Sequence, residues 1–332
     1  MHKISFSWLM LLLVLVSTSC RNDTSTTTNS TSTTETSVSL NVPRFNRDSA
    51  YAYIEKQVAF GPRVPGTEAH QANKVWMAGK LRSFGLSVTE QDFEATAYTG
   101  EQLSGTNIFA QINPESTQRI LLGAHWDSRP MADSPLSTER QDEAILGADD
   151  GASGVGVLLE LARLLAKDTS LNIGIDIILF DLEDYGQSQG GGWALGSQYW
   201  SANLPYGKNK PDYGILLDMV GSKGARFAKE EFSMQFAPDV MNKVWQLAGY
   251  MGYSNYFVNQ QGGRITDDHY YVNTIAKIPM LDIINQKTDT PTGFGTHWHT
   301  HDDDMDVIDK ATLRAVGKLL LEVIYREDAG TL

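Results

Sequence analysis

Short apolar runs alternate with helical patterns along this chain, and this alternation restricts it to folds in which helices cover a sheet. Residues 120–124, 173–181 and 213–220 are nearly continuous apolar runs, as buried strands are. Residues 107–112 and 278–284 are expected to form further strands. Helical spacing of apolar residues is found in segments 69–84, 155–167, 240–250 and 311–325. The pattern predicts an α/β fold: a single-domain three-layer α/β/α sandwich around a twisted mixed, mostly parallel sheet.

Acidic and imidazole side chains are concentrated in five short segments, most of which follow a predicted strand. The segments are A-H-W-D-S (124–128), G-A-D-D-G-A-S-G (147–154), F-D-L-E-D (180–184), L-D-M-V-G (217–221), and the pair T-D-D-H (266–269) with H-W-H-T (297–300). Ligands of open α/β sheets lie beyond the carboxyl ends of the strands, and several of these acids fall there. Five such segments in one domain predict a zinc site at this edge of the sheet.

Three of these side chains form the predicted zinc site. Asp150, Asp184 and His299 would supply oxygen and nitrogen ligands and leave a fourth position open, as a catalytic zinc site does. Glu183 directly precedes Asp184, and neighbouring residues at a strand end point in different directions. The Glu183 carboxylate is therefore predicted to act as a general acid and base. Taken alone, segment 147–154 could equally be a turn that caps a helix.

The first residues of the chain indicate export. Residues 1–19 have a weakly basic start, a short apolar run and small residues before Cys20, a pattern typical of a bacterial lipoprotein signal peptide. Residues 20–41 are rich in Ser and Thr and predict a disordered tether, followed by a folded domain over 42–332. We expect Cys20 to carry a lipid that anchors the protein in the cell envelope, facing the periplasm. An ordinary secretory signal with an incidental cysteine is the alternative.

Composition limits the partners of the folded domain. The net charge of -13 argues against a nucleic-acid partner. The chain has a single cysteine, so it cannot form an intrachain disulfide. Its length nevertheless allows a sizeable core without such a cross-link. We expect a monomer that associates with the membrane through the lipid anchor.

The motifs, together with F-G-P-R-V-P-G-T (60–67), resemble those of the zinc aminopeptidase-like superfamily. Within it, the chain is most similar to the glutaminyl-peptide cyclotransferases, or glutaminyl cyclases, over about residues 50–326. The resemblance implies a zinc-exopeptidase-like fold and a cyclase domain over 42–332, with one Zn2+ per chain. It also implies conversion of the N-terminal glutamine of peptides or proteins to pyroglutamate, with release of ammonia.

Three features favour a cyclase over an aminopeptidase of the same superfamily. Asp267 stands where such aminopeptidases usually carry a small residue. Trp298 directly precedes His299, and Phe294 lies four residues before Trp298, as in cyclases. The resemblance implies that these two aromatic side chains bind the substrate amide. Trp193 is expected as a third wall of the same substrate pocket.

Two other functions are compatible with parts of the pattern. His125 and Asp218, with Asp150 bridging, could bind a second zinc ion about 3.5–4 Å from the first, as in a di-zinc aminopeptidase. Cyclases resembling this chain keep these residues but use them in hydrogen bonds, with one metal. Asp184 also departs from the Glu-Glu pair common in both groups. A surface lipoprotein that only binds peptides is the remaining alternative, and an intact Glu183 argues against it.

The expected mechanism follows from these placements. Zinc polarises the γ-carboxamide oxygen of the substrate glutamine. Glu183 takes a proton from the substrate amine and later gives it to the departing nitrogen. Asp218 and Asp267 are expected to form a carboxylate cluster with Glu183, and such proximity raises one pKa toward working pH.

Several further polar residues are given supporting or structural roles. Asp127 is expected to orient the site through hydrogen bonds, and His269 is expected either to support Asp267 or to be a core histidine. His70 is predicted to lie on the surface. His297, His301 and the acids 302–304 are predicted to form a solvated loop.

Overall fold

A computed structural model describes residues 40–187, 191–207 and 209–332, and a six-stranded sheet forms its centre. The strands are β1 (Ser87–Thr96), β2 (Gln102–Ile112), β3 (Arg119–His125), β4 (Gly174–Phe180), β5 (Tyr213–Asp218) and β8 (Met280–Ile284), with β6 (Phe227–Lys229) and β7 (Phe257–Gln261) forming a separate two-stranded sheet. The order across the large sheet is β1-β2-β4-β3-β5-β8. Strands β4, β3, β5 and β8 are parallel, whereas β1 and β2 are antiparallel to their neighbours. The predicted mixed, mostly parallel sheet is confirmed.

Helices cover both faces of this sheet. The α-helices of the described residues are α1 (Arg47–Val58), α2 (Glu68–Ser83), α3 (Ala152–Leu165), α4 (Leu195–Ala202), α5 (Glu231–Phe236), α6 (Pro238–Tyr250), α7 (Asp268–Tyr271) and α8 (Lys310–Asp328). On β3, Ile120 and Leu122 pack into the larger core with α1, α2, α3, α6 and α8. Leu121 points to the opposite face, where it packs with Trp200 of α4 and Val272. Because strand side chains alternate, the two cores lie on either side of the sheet and the three-layer sandwich is confirmed.

The predicted strands and helices agree with the structure to within a few residues, but the short elements α4, α5, α7, β6 and β7 were missed, as were the longer β1 and α1. Strand β1 is exposed or half-buried along nearly its whole length, with Phe93 as its buried residue. Such a strand lacks the apolar run by which the central strands were predicted. Helix α1 buries Ala50, Ile54 and Gln57, too few apolar residues to produce a clear helical pattern.

Residues Leu40–Leu332 form one compact unit. The predicted signal peptide 1–19, the lipidation site Cys20 and nearly all of the tether 20–41 lie outside the described residues. Within the described ranges, every helix is too short or too polar to cross a membrane.

The prediction that His70 lies on the surface is wrong, because this residue is buried. Only 5% of the residue is exposed, and its Nε2 lies 2.9 Å from Asp181 Oδ1. The His70 ring also stacks on Trp126, with 4.2 Å between ring centroids. Asp181 follows the last residue of β4 and is completely buried, so its carboxylate needs a donor. Helix α2 adds the His70 imidazole, from its first turn, to the backbone N–H groups of Thr106 and Leu182 that also donate to this carboxylate. Sequence spacing does not reveal this arrangement.

We predict that His70→Leu destabilises the fold by about 3 kcal/mol, because the substitution leaves the buried Asp181 carboxylate without its imidazole partner. Urea unfolding followed by far-ultraviolet circular dichroism measures this loss. His301→Leu is the matched control, since its Nε2 contacts only the Arg140 carbonyl at the surface. Equal effects of the two substitutions would contradict a structural role for the His70–Asp181 pair.

Candidate active site

The parallel strands bring the predicted segments to one edge of the sheet. His125 at the end of β3 pairs in register with Phe180 at the end of β4, so the residues after both strands emerge side by side. Asp218 is the last residue of β5, the other neighbour of β3. Glu183 and Asp184 follow β4 by three and four residues. The predicted segments therefore meet at the carboxyl ends of the parallel strands, where ligands of such sheets bind.

The loop before α3 carries Asp150 into this edge. Gly151 has a φ of 92°, and a Cβ atom on it would lie 2.4 Å from the carbonyl oxygen of Asp127, so only glycine fits. The backbone N–H groups of Asp149 and Asp150 donate to the Asp303 carboxylate over 2.7 and 3.1 Å. A tight glycine turn and a buried acid from a distant segment thus fix the position of Asp150.

Asp150, Asp184 and His299 come together as predicted. Each offers a ligand atom, and these atoms lie within 4.8 Å of one another. His299 Nε2 is 3.2 Å from Asp184 Oδ1 and 3.7 Å from Asp150 Oδ2. Both Asp184 oxygens are buried and have no hydrogen-bond partner among the described residues. A metal ion would give these buried oxygens a partner, and this set of one nitrogen and two oxygen donors suits zinc.

A salt bridge behind His299 orients its ring. His299 Nδ1 donates to Asp133 Oδ1 over 2.9 Å, which directs Nε2 toward the two aspartates. Asp133 in turn accepts two hydrogen bonds from the buried Arg129 guanidinium, at 3.1 and 2.6 Å. Burial raises the pKa of Asp133, but the bonds from His299 and Arg129 outweigh it and hold that pKa well below its usual range. An ionised carboxylate in this place is the usual support of a metal-binding histidine.

Sequence reasoning did not identify Asp133 or Arg129. Both lie in the loop that follows β3, where no periodic pattern predicts their direction. Arg129 also donates to the carbonyls of Asp184 and Gly186, at 2.9 and 2.7 Å. The charge of Arg129, on a loop beside a predicted metal-binding segment, was the one sequence feature that could have indicated its role.

A second group of possible ligands surrounds His125. Its Nε2 lies 3.0 Å from Asp150 Oδ1 and 3.2 Å from Asp218 Oδ1. Burial lowers the pKa of His125, yet hydrogen bonds with Asp127, Asp150 and Asp218 outweigh burial and raise it well above its usual value. His125, Asp150 and Asp218 are therefore a second set of possible metal ligands, whose ligand atoms lie within 4.8 Å of one another.

Asp127 orients the end of β4. Its two oxygens accept hydrogen bonds from the backbone N–H groups of Glu183 and Asp184, at 3.1 and 3.0 Å. These bonds hold two successive residues in one conformation, so their side chains diverge as the sequence suggested. Leu182, just before them, has a φ of 56°, which turns the chain sharply at this point.

Glu183, Asp218 and Asp267 form a carboxylate cluster on one wall of the cavity. They are 9%, 8% and 3% exposed. Burial raises the pKa of Glu183 well above its usual value; nearby His125 opposes this, while Asp267 and Asp184 add to it. Burial likewise raises the pKa values of Asp218 and Asp267. The carboxylate cluster therefore holds protons at a pH at which isolated acids are ionised.

His269 has a different partner from the one expected. Its Nε2 lies 3.0 Å from Glu230 Oε2, and Nδ1 lies 3.8 Å from Asp282 Oδ2. His269, Asp267 and Asp282 offer atoms within 4.8 Å of one another, so His269 remains next to Asp267 without a direct hydrogen bond to it. The imidazole is completely buried beneath the carboxylate cluster.

Aromatic side chains line the same cavity, which has a volume of about 550 Å³. Trp298 packs against Phe294 with 4.9 Å between ring centroids, and it stacks on His299 at 3.8 Å. Trp193 lines the same cavity, and the Arg129 guanidinium lies 4.8 Å from its ring centroid. All three aromatic residues predicted for the substrate pocket therefore face one cavity together with the candidate metal ligands.

The segment around His299 is only partly the solvated loop that was predicted. His297 is 7% exposed, and its Nε2 lies 2.9 Å from Asp149 Oδ2. Asp303 is completely buried beneath the Asp150 loop. His301 is half-buried and Asp302 is exposed. The prediction was wrong for His297 and Asp303, because the segment is a compact turn in which His299 has a φ of 53°.

We predict that Asp133→Ala weakens zinc binding by about tenfold to a hundredfold, because His299 loses the hydrogen bond that fixes its ring. Competition with a chelator of known affinity measures this change. Asp142→Ala, in an exposed part of the same loop, is the control and should leave zinc affinity unchanged. Unchanged affinity in Asp133→Ala would mean that the ring is positioned by packing alone.

Comparison with known proteins agrees with this geometry. The sequence profile of peptidase family M28 matches residues 107–324. The chain is similar to the crystal structure of Tannerella forsythia glutaminyl cyclase, with 52% identity and a TM-score of 0.82, covering 85% of this chain and 99% of that one. It is also similar to a leucine aminopeptidase precursor from Bacteroides thetaiotaomicron, with 48% identity and a TM-score of 0.82, covering 86% and 99%. A glutaminyl-peptide cyclotransferase of Drosophila melanogaster is 27% identical over 274 residues, which are 76% of this chain and 73% of that one.

The profile match extends over more than half of the chain and includes β3, β4, β5 and β8 with the segments between them. Those segments carry Asp150, Glu183, Asp184 and His299. The chain therefore belongs to peptidase family M28.

Proposed function

We propose that this protein is a glutaminyl-peptide cyclotransferase, an aminoacyltransferase that converts the N-terminal glutamine of peptides to pyroglutamate and releases ammonia. The observation that carries this conclusion is the buried acid Glu183, which faces an aromatic cavity directly beside a three-residue metal site. Similarity to solved glutaminyl cyclases from several bacteria supports it.

The cavity suits a glutamine at the start of a peptide. Trp298 and Phe294 present flat apolar faces to the planar γ-carboxamide. The carboxylate cluster in the same cavity attracts the α-ammonium group and directs it toward the same carboxamide. Both reacting groups belong to one residue, so holding that residue in a folded conformation brings the amine close to the amide carbon.

A zinc ion held by Asp150, Asp184 and His299 would supply a Lewis acid for the γ-carboxamide oxygen. Glu183 accepts a proton from the α-ammonium, and the freed amine attacks the γ-carboxamide carbon. A carbon–nitrogen bond forms in the ring and the bond to the original amide nitrogen breaks, with Glu183 returning the proton to that nitrogen. The attacking nitrogen loses its second proton in the same way, so the ring nitrogen becomes a neutral amide and the departing nitrogen leaves as ammonium. Asp218 and Asp267 hold further protons beside Glu183, which keeps its carboxyl group able to exchange one.

We propose one zinc ion per chain. Support comes from His125 Nε2, which lies 3.0 Å from Asp150 Oδ1 and 3.2 Å from Asp218 Oδ1, so these three side chains contact one another without a second metal. A di-zinc aminopeptidase is the second candidate function, because His125, Asp150 and Asp218 offer ligand atoms within 4.8 Å of one another. Asp267 favours the cyclase, since an added buried acid suits proton transfer between two nitrogens more than activation of water.

The deciding experiment compares two substrates at equal protein concentration. Incubation with a glutamine-initiated dipeptide should release ammonia and a pyroglutamyl product, whereas an aminoacyl chromophore should stay intact. Metal analysis should give one zinc ion per chain. Release of the chromophore together with two zinc ions per chain would instead identify an aminopeptidase.

We predict that Glu183→Gln lowers the rate of cyclisation by about 10²-fold to 10⁴-fold, because the amide cannot transfer the proton. Zinc content should stay unchanged, since Glu183 lies outside the metal site. The control is Glu143→Gln, whose side chain is 60% exposed in the surface pair with Arg140. If Glu183→Gln loses its zinc, the residue is a ligand and its assigned role is wrong.

We also propose that Cys20 is lipidated and anchors the enzyme, as a monomer, in the bacterial cell envelope. The support is the apolar leader, the small residues before Cys20 and the Ser- and Thr-rich segment after it. Cys20→Ala should move the protein from the membrane fraction to the soluble periplasmic fraction on cell fractionation. A protein that stays soluble with Cys20 intact would indicate an ordinary secretory signal.

A further inference from the structure

Arg264 is the one Lys or Arg among the described residues that line the active-site cavity. It lies in the connection between β7 and α7, and its side chain is 55% exposed. The other charged side chains of the lining are acidic or are the candidate ligand imidazole: Asp150, Glu183, Asp184, Asp218, Asp267 and His299. The cavity is therefore bipolar, with carboxylates in its buried part and a guanidinium where it opens to solvent.

The chain around Arg264 is held firmly, so its guanidinium is presented in a defined place. The Gly262 N–H donates to the Lys229 carbonyl over 2.7 Å. The N–H groups on either side of Arg264, those of Gly263 and Ile265, donate to side chains of Gln286 and Glu230 over 3.1 and 3.0 Å. Because the backbone is fixed on both sides, ordering Arg264 against a ligand restricts its side chain and does not require the loop to be ordered as well.

The Arg264 side chain is also supported without being neutralised completely. Its Nη2 contacts one oxygen of Glu231, and its guanidinium carbon lies 4.8 Å from the ring centroid of Phe232. A guanidinium has five N–H donors, so a single contact leaves most of them available. The Glu231 side chain is 37% exposed, and exposed ion pairs of this kind are weak enough to be shared with a ligand.

The position of Arg264 along the chain limits which part of a substrate it can reach. Arg264 and Asp267 are three residues apart, so their Cα atoms are separated by at most about 11 Å. Ile265 and Thr266, between them, also line the cavity. An extended peptide advances about 3.3 Å per residue. A peptide whose N-terminal glutamine reaches Asp267 therefore passes Arg264 with its second or third residue.

We propose that Arg264 selects glutamine-initiated peptides that carry a carboxylate at the second or third position, from Asp, Glu or a free C-terminus. The inference rests on the proposed function and adds a substrate class to it. The carboxylate cluster binds the ammonium end of such a peptide, and Arg264 forms a charge-assisted hydrogen bond with the carboxylate further along. The negative carboxylate cluster and the positive Arg264, at a fixed spacing, thus determine the direction in which a peptide binds and favour peptides with a carboxylate at the second or third position.

The test compares peptide amides that differ by a single charge. Gln-Ala-Glu-amide and Gln-Ala-Gln-amide are nearly isosteric, and the first should have a kcat/KM about threefold higher, as an exposed ion pair allows, through a lower KM. Gln-Ala against Gln-Ala-amide tests a C-terminal carboxylate in the same way. In Arg264→Ala, the ratio of kcat/KM for the charged peptide to kcat/KM for the neutral peptide should be about one in each pair. In Arg264→Glu this ratio should fall below one. In Glu231→Gln the ratio should increase, because the competing carboxylate is removed.

Arg82→Ala is the matched control. Arg82 forms a similar exposed ion pair, with Glu90 at 2.8 Å and with 49% of its side chain exposed, but it does not line the cavity. The charge ratios should be the same in Arg82→Ala as in the unaltered protein. Raising the salt concentration should lower the charge ratios in the unaltered protein and in Arg82→Ala, because salt screens the ion pair. It should have no such effect in Arg264→Ala.

Two results separate failure of this inference from failure of the proposed function. Equal kcat/KM values for the charged and neutral peptides, or ratios that persist in Arg264→Ala, would overturn the role of Arg264 and leave cyclase activity intact. Absence of ammonia release from every peptide would contradict the cyclase function. In that case the role of Arg264 would be tested by binding alone. The affinity of each charged peptide would be compared with that of its neutral partner by quenching of tryptophan fluorescence, and Arg264→Ala should remove the difference.

Discussion

The active site depends on the burial of many carboxylates at one edge of a parallel sheet. A buried carboxylate is strongly unfavourable unless donors, cations or protons compensate its charge. This protein uses all three means: backbone N–H groups for Asp127 and Asp303, imidazoles beside Asp150 and Asp218, and raised pKa values in the carboxylate cluster. The Asp184 carboxylate lies 3.2 Å from His299 Nε2 and 3.5 Å from the Arg129 guanidinium, yet neither of its oxygens accepts a hydrogen bond among the described residues, and a metal cation would give it a partner.

The same electrostatic requirement explains how two neighbouring acids have different functions. Asp127 fixes the backbone of Glu183 and Asp184 with one carboxylate, so their side chains point to different surroundings. Asp184 faces His299, whereas Glu183 faces Asp267 and Asp218. Asp184 is thus placed to contact a cation held with His299, whereas Glu183 is placed to exchange a proton. The chemistry of the site thus follows from where the end of β4 directs each residue.

Much of the fold could be predicted because the central strands and large helices have strong apolar patterns. Segments 120–124 and 213–220 were found since they are buried on both faces, and 155–167 since α3 is apolar on nearly all sides. β1 was missed because it is an edge strand whose exposed residues are mostly polar, and its ladder with β2 compensates for the weak pattern. For the site, the convergence of Asp150, Asp184 and His299 followed from parallel topology combined with the resemblance of the motifs.

The sequence by itself determined the layered α/β architecture, the edge of the sheet at which ligands gather, and the residues able to hold zinc and move a proton. Only the tertiary structure decided which side chains support them. His70 with Asp181, Asp133 with His299, and Asp149 with His297 join segments more than a hundred residues apart. Local periodicity records which face of an element is buried, but it carries no information on which distant loop supplies a hydrogen-bond donor. Those pairings are selected by the free energy of burying charge, and this is defined only once the chain has folded.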